Sequence, residues 1–130
     1  MPHQPKPPSH EPAIRVVMMP RDTNGEGTIF GGVILSLIDQ AGYVEAVRQA
    51  HQRYVTVSMR EVVFHHPVFV GDVLSLYADA IRIGRTSITI KVRVCARRRT
   101  DPDIDVKVTE AEVVFVAIDD QGKPVAVIED

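Results

Sequence analysis

From Ser87 to Val94 the chain alternates polar and apolar residues without a break, Ser-Ile-Thr-Ile-Lys-Val-Arg-Val. Successive strand side chains point to opposite faces, so this run predicts a half-buried strand, here taken as Thr86–Arg97. Tyr54–Phe64, Val73–Ile83 and Val106–Ile118 share its richness in Val, Ile, Thr and Phe. Breakers divide the four: His66-Pro67 with Gly71-Asp72, then Gly84-Arg85, then Asp101-Pro102. The Gly84-Arg85 link is short enough for a hairpin, which makes the strands on either side of it antiparallel neighbours. Ile14–Met18 predicts a further short strand closed by Pro20, and Val125–Ile128 a last one after the turn at 119–124.

The period changes between Val33 and His51. Apolar positions 34, 35, 37, 38, 41, 44 and 47 follow helical spacing, and no proline interrupts them. Nineteen or twenty residues of helix run about 30 Å, enough to cross a small domain. Gly42 lies inside it, where glycine costs roughly 1 kcal/mol against alanine; a close backbone approach would account for it. Residues 22–32, with glycines at 25, 27, 31 and 32, read as a loop. Prolines at 2, 5, 7, 8 and 12 block both helix and ladder, so residues 1–12 are expected to be a flexible tail and 13–130 the folded domain.

One helix and long strands predict an α+β fold in which the sheet curls around the helix. One sheet face would stay partly bare, which argues for a homo-oligomer. At 130 residues the chain suits one domain. With 15 Lys+Arg against 17 Asp+Glu, its net charge of −2 argues against a nucleic-acid partner. Its apolar runs are far shorter than the roughly 18 residues of a membrane span, and its first residues lack a signal peptide's apolar segment. A cytoplasmic domain without a membrane partner is the expectation. The single cysteine, Cys95, forms no internal disulfide and reads as packed rather than reactive.

Asp39 is the most informative residue. It stands in Val-Ile-Leu-Ser-Leu-Ile-Asp-Gln-Ala-Gly-Tyr-Val, an otherwise nearly apolar helical stretch, where a carboxylate is costly unless it is paired or functional. Equally, Ser36, Asp39 and Tyr43 share a face at i, i+3 and i+7, so Asp39 also fits the wet side of an amphipathic helix. Gly31-Gly32 opens the helix. A third glycine for a dinucleotide fingerprint is missing, because Phe30 occupies its place, and no Gly-Lys-Ser/Thr follows. The free amides of a helix start suit a carbonyl oxygen or an anion, though a plain turn is the common alternative.

Asp39 lies eight residues beyond Gly31, about 12 Å along the axis. An attacking group and an oxyanion donor must both sit about 3 Å from one reacting carbonyl. A catalytic role for both therefore predicts sites between subunits. His65-His66 cannot chelate one ion together on a strand, since neighbours face opposite ways; no metal is expected. No Gly-x-Ser-x-Gly elbow supports a serine triad. Arg97-Arg98-Arg99 and Arg85 read by default as solvated charge, or else as a local patch for a small phosphorylated ligand.

The run MPRDTNGEGTIFGGVILSLID from Met19 to Asp39 resembles the signature of hotdog-fold acyl-CoA thioesterases, in the YciA-type or cytosolic long-chain acyl-CoA hydrolase branch. Further matches are TVSM at 56–59, FHHPVFVGD at 64–72, GRTS at 84–87 and TEAEVVFVAIDDQGKP at 109–124, so the resemblance spans about residues 14–128. It implies a hotdog fold, a long central helix wrapped by a five- to six-stranded antiparallel sheet, dimerising through a continuous sheet and often assembled as three dimers. It also implies hydrolysis of acyl-CoA to a free acid and coenzyme A with no cofactor. Asp39 matches the family's catalytic acid, acting as general base or nucleophile, and Asn24 the second catalytic residue, working across the interface. Gly31 and Gly32 match the amides that polarise the thioester carbonyl. Arg85, Thr86 and Ser87 match positions near the pantetheine and phosphates, and Arg97, Arg98 and Arg99 are a looser match to the nucleotide end. Arg60 departs from the family, which commonly has an acidic residue there.

The alternative of a different class is a non-catalytic acyl-CoA binding or sensing module, although twelve proline-rich residues supply no output domain. An enoyl-CoA hydratase needs an Asp/His pair at the helix start, and the helix has only His51, at its far end.

Overall fold

A computed structural model describes residues 3–129. The elements are β1 (Ile14–Val17), α1 (Gly31–Gln49), β2 (Arg53–Arg60), β3 (Val73–Ile83), β4 (Ser87–Arg97) and β5 (Asp105–Ile118). All strand pairs are antiparallel, in the order β1-β3-β4-β5-β2. The predicted hairpin joins β3 to β4, and the sheet curls about α1 in the hotdog arrangement the sequence led us to expect.

The alternating pattern builds the core directly. Ile88, Ile90, Val92 and Val94 of β4 turn inward, with Leu74, Leu76 and Ala78 of β3 and Ala111, Val113 and Phe115 of β5 on the same face. Against them α1 buries Ile34, Ile38, Ala41, Gly42 and Ala46. Gly42 lets the helix backbone lie close against the sheet. A Cβ there would lie 2.9 Å from the Phe115 ring and 3.6 Å from Val113, so the close approach its position suggested is real. Glu45, also buried, was not anticipated; Arg48 grips both its oxygens at 2.7 and 2.9 Å, and Gln49 donates to one at 2.7 Å.

The outer face of the sheet is charged. One row crosses four strands with alternating sign: Asp79 opposite Lys91, Lys91 opposite Glu112, Glu112 opposite Arg60. Arg60 completes this row with an ion pair to Glu112 at 3.4 Å, which gives the departure a local electrostatic reason. Cys95 sits half-buried on the same face, its thiol pKa pushed up by burial and by the Asp105 charge.

Two expectations need correction. β2 stops at Arg60 rather than Phe64, because Glu61 takes a left-handed φ of 62° that ends the pleat. Val125–Ile128 is no strand; Val125 N–H bonds Ala117 O while Val127 N–H bonds Arg85 O, so no single ladder forms and the sheet has five strands. Residues 4–12 form neither helix nor strand and run beside the end of α1; residues 1 and 2 of the expected tail lie outside the described residues. Gln49 exchanges hydrogen bonds with both backbone groups of Lys6, and Arg48 donates to Pro7 O.

Candidate active site

Asp39 lies on α1 at the border between its buried and wet faces. Its Oδ1 accepts a 2.6 Å hydrogen bond from Thr56 Oγ1. Thr56 comes from β2, where a bulge between Thr56 and Ser58 interrupts the pairing with β5. Before the bulge Tyr54 and Thr56 stand opposite Ala117 and Phe115, on the core face; after it Met59 stands opposite Val113, on that face again. Thr56 lies in the TVSM run at 56–59, but nothing in the sequence pairs it with Asp39. Such a pairing depends on how far the helix and strand slide past one another, which periodicity does not fix.

Around this pair opens a cavity of about 420 Å³, walled by Tyr43, Val44, Tyr54 and Phe115. The three rings are stacked edge to face: Tyr43 on Tyr54 at 6.5 Å and 87°, Tyr54 on Phe115 at 6.4 Å and 71°. Tyr54 donates its hydroxyl to Ala50 O at 2.7 Å. Burial, with a smaller contribution from Tyr43, raises its pKa to about 12.

The other end of α1 is equally open. Gly31 and Gly32 are exposed and no side chain among the described residues caps the helix; Val33 N–H turns back to Phe30 O at 3.1 Å, while the two glycine amides ahead of it have no intrahelical acceptor. Phe64 leans over Gly31, 3.8 Å from where a Cβ would be, beside a cavity of about 310 Å³. Asp39 does not line that cavity, as the ~12 Å of helix between the two requires. Asn24 braces its own loop: its Oδ1 accepts from Glu26 and Thr28 N–H at 2.8 and 3.2 Å, and its Nδ2 donates to Thr28 Oγ1 at 2.8 Å. That leaves one amide hydrogen unused.

The arginines divide into two groups. Arg85, Thr86 and Ser87 form the β3–β4 hairpin, whereas Arg97, Arg98 and Arg99 lie at the opposite end of β4, about 36 Å away. One protomer does not bring them together. Arg98 is a structural residue: it pairs with buried Asp72 at 2.6 Å, donates to Pro67 O at 3.0 Å and stacks on the Phe69 ring. Arg97 and Arg99 remain exposed, the stem of Arg99 lying so close over Gly71 that a Cβ there would collide with it. Among the described residues no group of three His, Cys, Asp or Glu is placed to hold a metal ion. Nor, among the described residues, is any helix long and apolar enough to cross a membrane.

Residues 26–102 match the model of the thioesterase superfamily. The acyl-CoA thioester hydrolase YciA of Salmonella typhimurium is 41% identical over 119 residues, 90% of each chain. A hexameric hotdog-fold thioesterase of Campylobacter jejuni superposes with a TM-score of 0.85 at 42% identity, covering 91% of this chain and 90% of the other. For the hexameric thioesterase of Yersinia pestis the TM-score is 0.86 at 39% identity, over 95% and 100%.

Proposed function

Since the chain belongs to the thioesterase superfamily, we propose that this acyl-CoA thioester hydrolase works through Asp39, with the Gly31 and Gly32 amides of a second copy as oxyanion donors. Its substrate is an acyl-CoA, its products a free carboxylic acid and coenzyme A. The observation that carries the reading is the Thr56–Asp39 hydrogen bond at 2.6 Å. Thr56 occupies one carboxylate oxygen and leaves Oδ2 to face the cavity, where it takes a proton from water as general base. The water oxygen bonds to the thioester carbon, the carbonyl oxygen gathers negative charge against the helix-start amides, and the C–S bond then breaks. The departing sulfur takes up the proton, so the step balances with water alone as co-reactant and no cofactor.

The ~12 Å between Asp39 and Gly31 makes a second copy necessary. β2 is an edge strand, and Val55 and Val57 on it, like Tyr43 and Val44 beside it, are exposed in the single protomer. An uncovered apolar edge of this kind favours strand addition. Antiparallel pairing of two β2 strands turns the second copy end for end and brings its Gly31 end to Asp39. Arg97 and Arg99 sit on that same end, near the 64–70 loop, so the second copy's arginines approach the first copy's Arg85–Ser87 hairpin. Together these hold the coenzyme's phosphates and pantetheine, and the unused Asn24 amide hydrogen serves the water or substrate. Three such dimers make a hexamer, the state named for the Campylobacter and Yersinia proteins. The cytoplasm is the compartment that fits an acyl-CoA substrate.

The test is free-thiol release from acyl-CoAs by the wild type and Asp39→Asn side by side. Turnover lost in the variant supports the assignment. Coenzyme binding without thiol release from any acyl-CoA would make the protein a binding module instead.

A further inference from the structure

Asp39, Tyr43 and Val47 follow one another at four-residue steps along α1, with His51 just past its end, so they form a line on one side of the helix. Two cavities lie along that line. The first, of about 420 Å³, holds Asp39 and Thr56. The second, of about 480 Å³, has Val47 and Ile118 as its apolar wall and His51, Arg53 and Asp120 at its rim. Tyr43 is the residue common to both linings. Its ring stands between them, about 6 Å of helix beyond Asp39, and is backed by the edge-to-face contact with Tyr54. Tyr54 is itself pinned by its hydroxyl to Ala50 O and by its ring to Phe115, so the partition has a fixed support.

We infer that Tyr43 is the stop that limits acyl-chain length: the acyl group of a thioester held at Asp39 runs along α1 and ends against this ring. The inference rests on the thioesterase reading above and adds the direction of the acyl chain and the residue that bounds it. The walls agree with the chemistry, since Val44, Tyr54 and Phe115 offer a hydrocarbon chain apolar contact and no unpaired charge. Beyond Tyr43 the second cavity continues the groove for a further turn of helix. Removing the ring joins the two.

The experiment measures kcat/KM for straight-chain acyl-CoAs from acetyl-CoA to palmitoyl-CoA, in the wild type, Tyr43→Ala, Tyr43→Phe and Tyr43→Trp. Tyr43→Ala is expected to move the optimum to longer chains, each newly accommodated methylene adding about fourfold to kcat/KM. Tyr43→Trp, which enlarges the stop, moves it to shorter chains and tests the idea independently of how well the alanine variant folds. Tyr43→Phe keeps the optimum where the wild type has it, because the ring and not the hydroxyl is the barrier. An identical optimum in the wild type, Tyr43→Ala and Tyr43→Trp would overturn the inference while leaving the thioesterase intact. A shift in Tyr43→Phe as large as in Tyr43→Ala would also overturn it. Absence of turnover in the wild type across the whole series instead removes the thioesterase reading itself.

Discussion

Thr56 Oγ1 and Asp39 Oδ1 are 2.6 Å apart, and this single bond ties the middle of the helix to the edge strand of the sheet. It fixes which carboxylate oxygen is engaged and which is left for chemistry. A threonine hydroxyl can donate only one hydrogen, and here the carboxylate receives it. Asp39 is therefore oriented by its own protomer before substrate or a second copy arrives.

Asp39→Asn should reduce thiol release from acyl-CoA at least about a hundredfold, the usual contribution of a positioned general base. The side chain is half-buried rather than a core packing element, so the circular dichroism spectrum and melting temperature should stay near the wild type. Turnover within a few-fold of normal would remove Asp39 from the mechanism.

Thr56→Val keeps the shape and deletes the donor. A hydrogen bond to a charged group is worth about 1.5–3 kcal/mol, and Thr56 is exposed in the protomer, which favours the low end. A fall of about tenfold in kcat with KM little changed is expected, and Thr56→Ser should restore most of it. Equal losses in the valine and serine variants would point to packing instead.

Arg98→Ala and Arg97→Ala should behave as opposites. Arg98 neutralises Asp72, whose side chain is 3% exposed, and leaving that carboxylate buried and unpaired costs about 3 kcal/mol or more. Arg97 is exposed at the strand end, and its loss should change unfolding free energy by no more than about 0.5 kcal/mol while raising KM for acyl-CoA. Urea unfolding and substrate titration of the two variants separate these roles.

Gly42→Ala should destabilise the protein although alanine is the better helix former by about 1 kcal/mol. The new methyl would stand 2.9 Å from the ring of Phe115, itself fully enclosed. Overpacking of this kind costs about 1–3 kcal/mol, visible as a lower urea midpoint. A raised midpoint would mean that the ring moves aside freely.

Tyr54 gives stability an alkaline limit. In the folded state burial holds its phenol to about 12, whereas an unfolded tyrosine ionises near 10. Between those pH values the folded state binds the extra proton, so stability falls as pH rises through the window. Below it the tyrosine contributes no pH dependence. Urea unfolding on either side of about pH 10 should show this decline in the wild type and a smaller one in Tyr54→Phe.

What the sequence makes legible follows its periodicities. The alternation at 87–94 yields β4 with its inward isoleucines and valines, and the helical spacing from 34 to 47 yields α1 to within two residues. The end of β2 is hidden because Glu61 adopts a left-handed backbone that its neighbours do not announce. Glu45 is buried between Arg48 and Gln49, which the apolar spacing of the helix does not announce. The basic run at 97–99 looks uniform, yet Arg98 is drawn inward by Asp72, twenty-six residues away. Only Arg98 has its decisive partner far off in the chain; Glu45 is met by residues three and four places on, and what hides its burial is how the helix seats against the sheet.

The bulge at Val57 acts as a three-dimensional reading frame. Side chains on a strand repeat every two residues, and one inserted residue lets β2 obey two phases: Tyr54 and Thr56 face the helix on one side of it, Met59 on the other. Deleting Val57 would therefore remove the insertion and nothing of the register: Thr56 would stay opposite Phe115, with Ser58, Met59 and Arg60 following opposite Val114, Val113 and Glu112 in one unbroken phase. The inward place of Met59 and the pair that Arg60 makes with Glu112 would both survive. The bulge is a spare place in the strand, where a residue can be lost without throwing its neighbours out of frame.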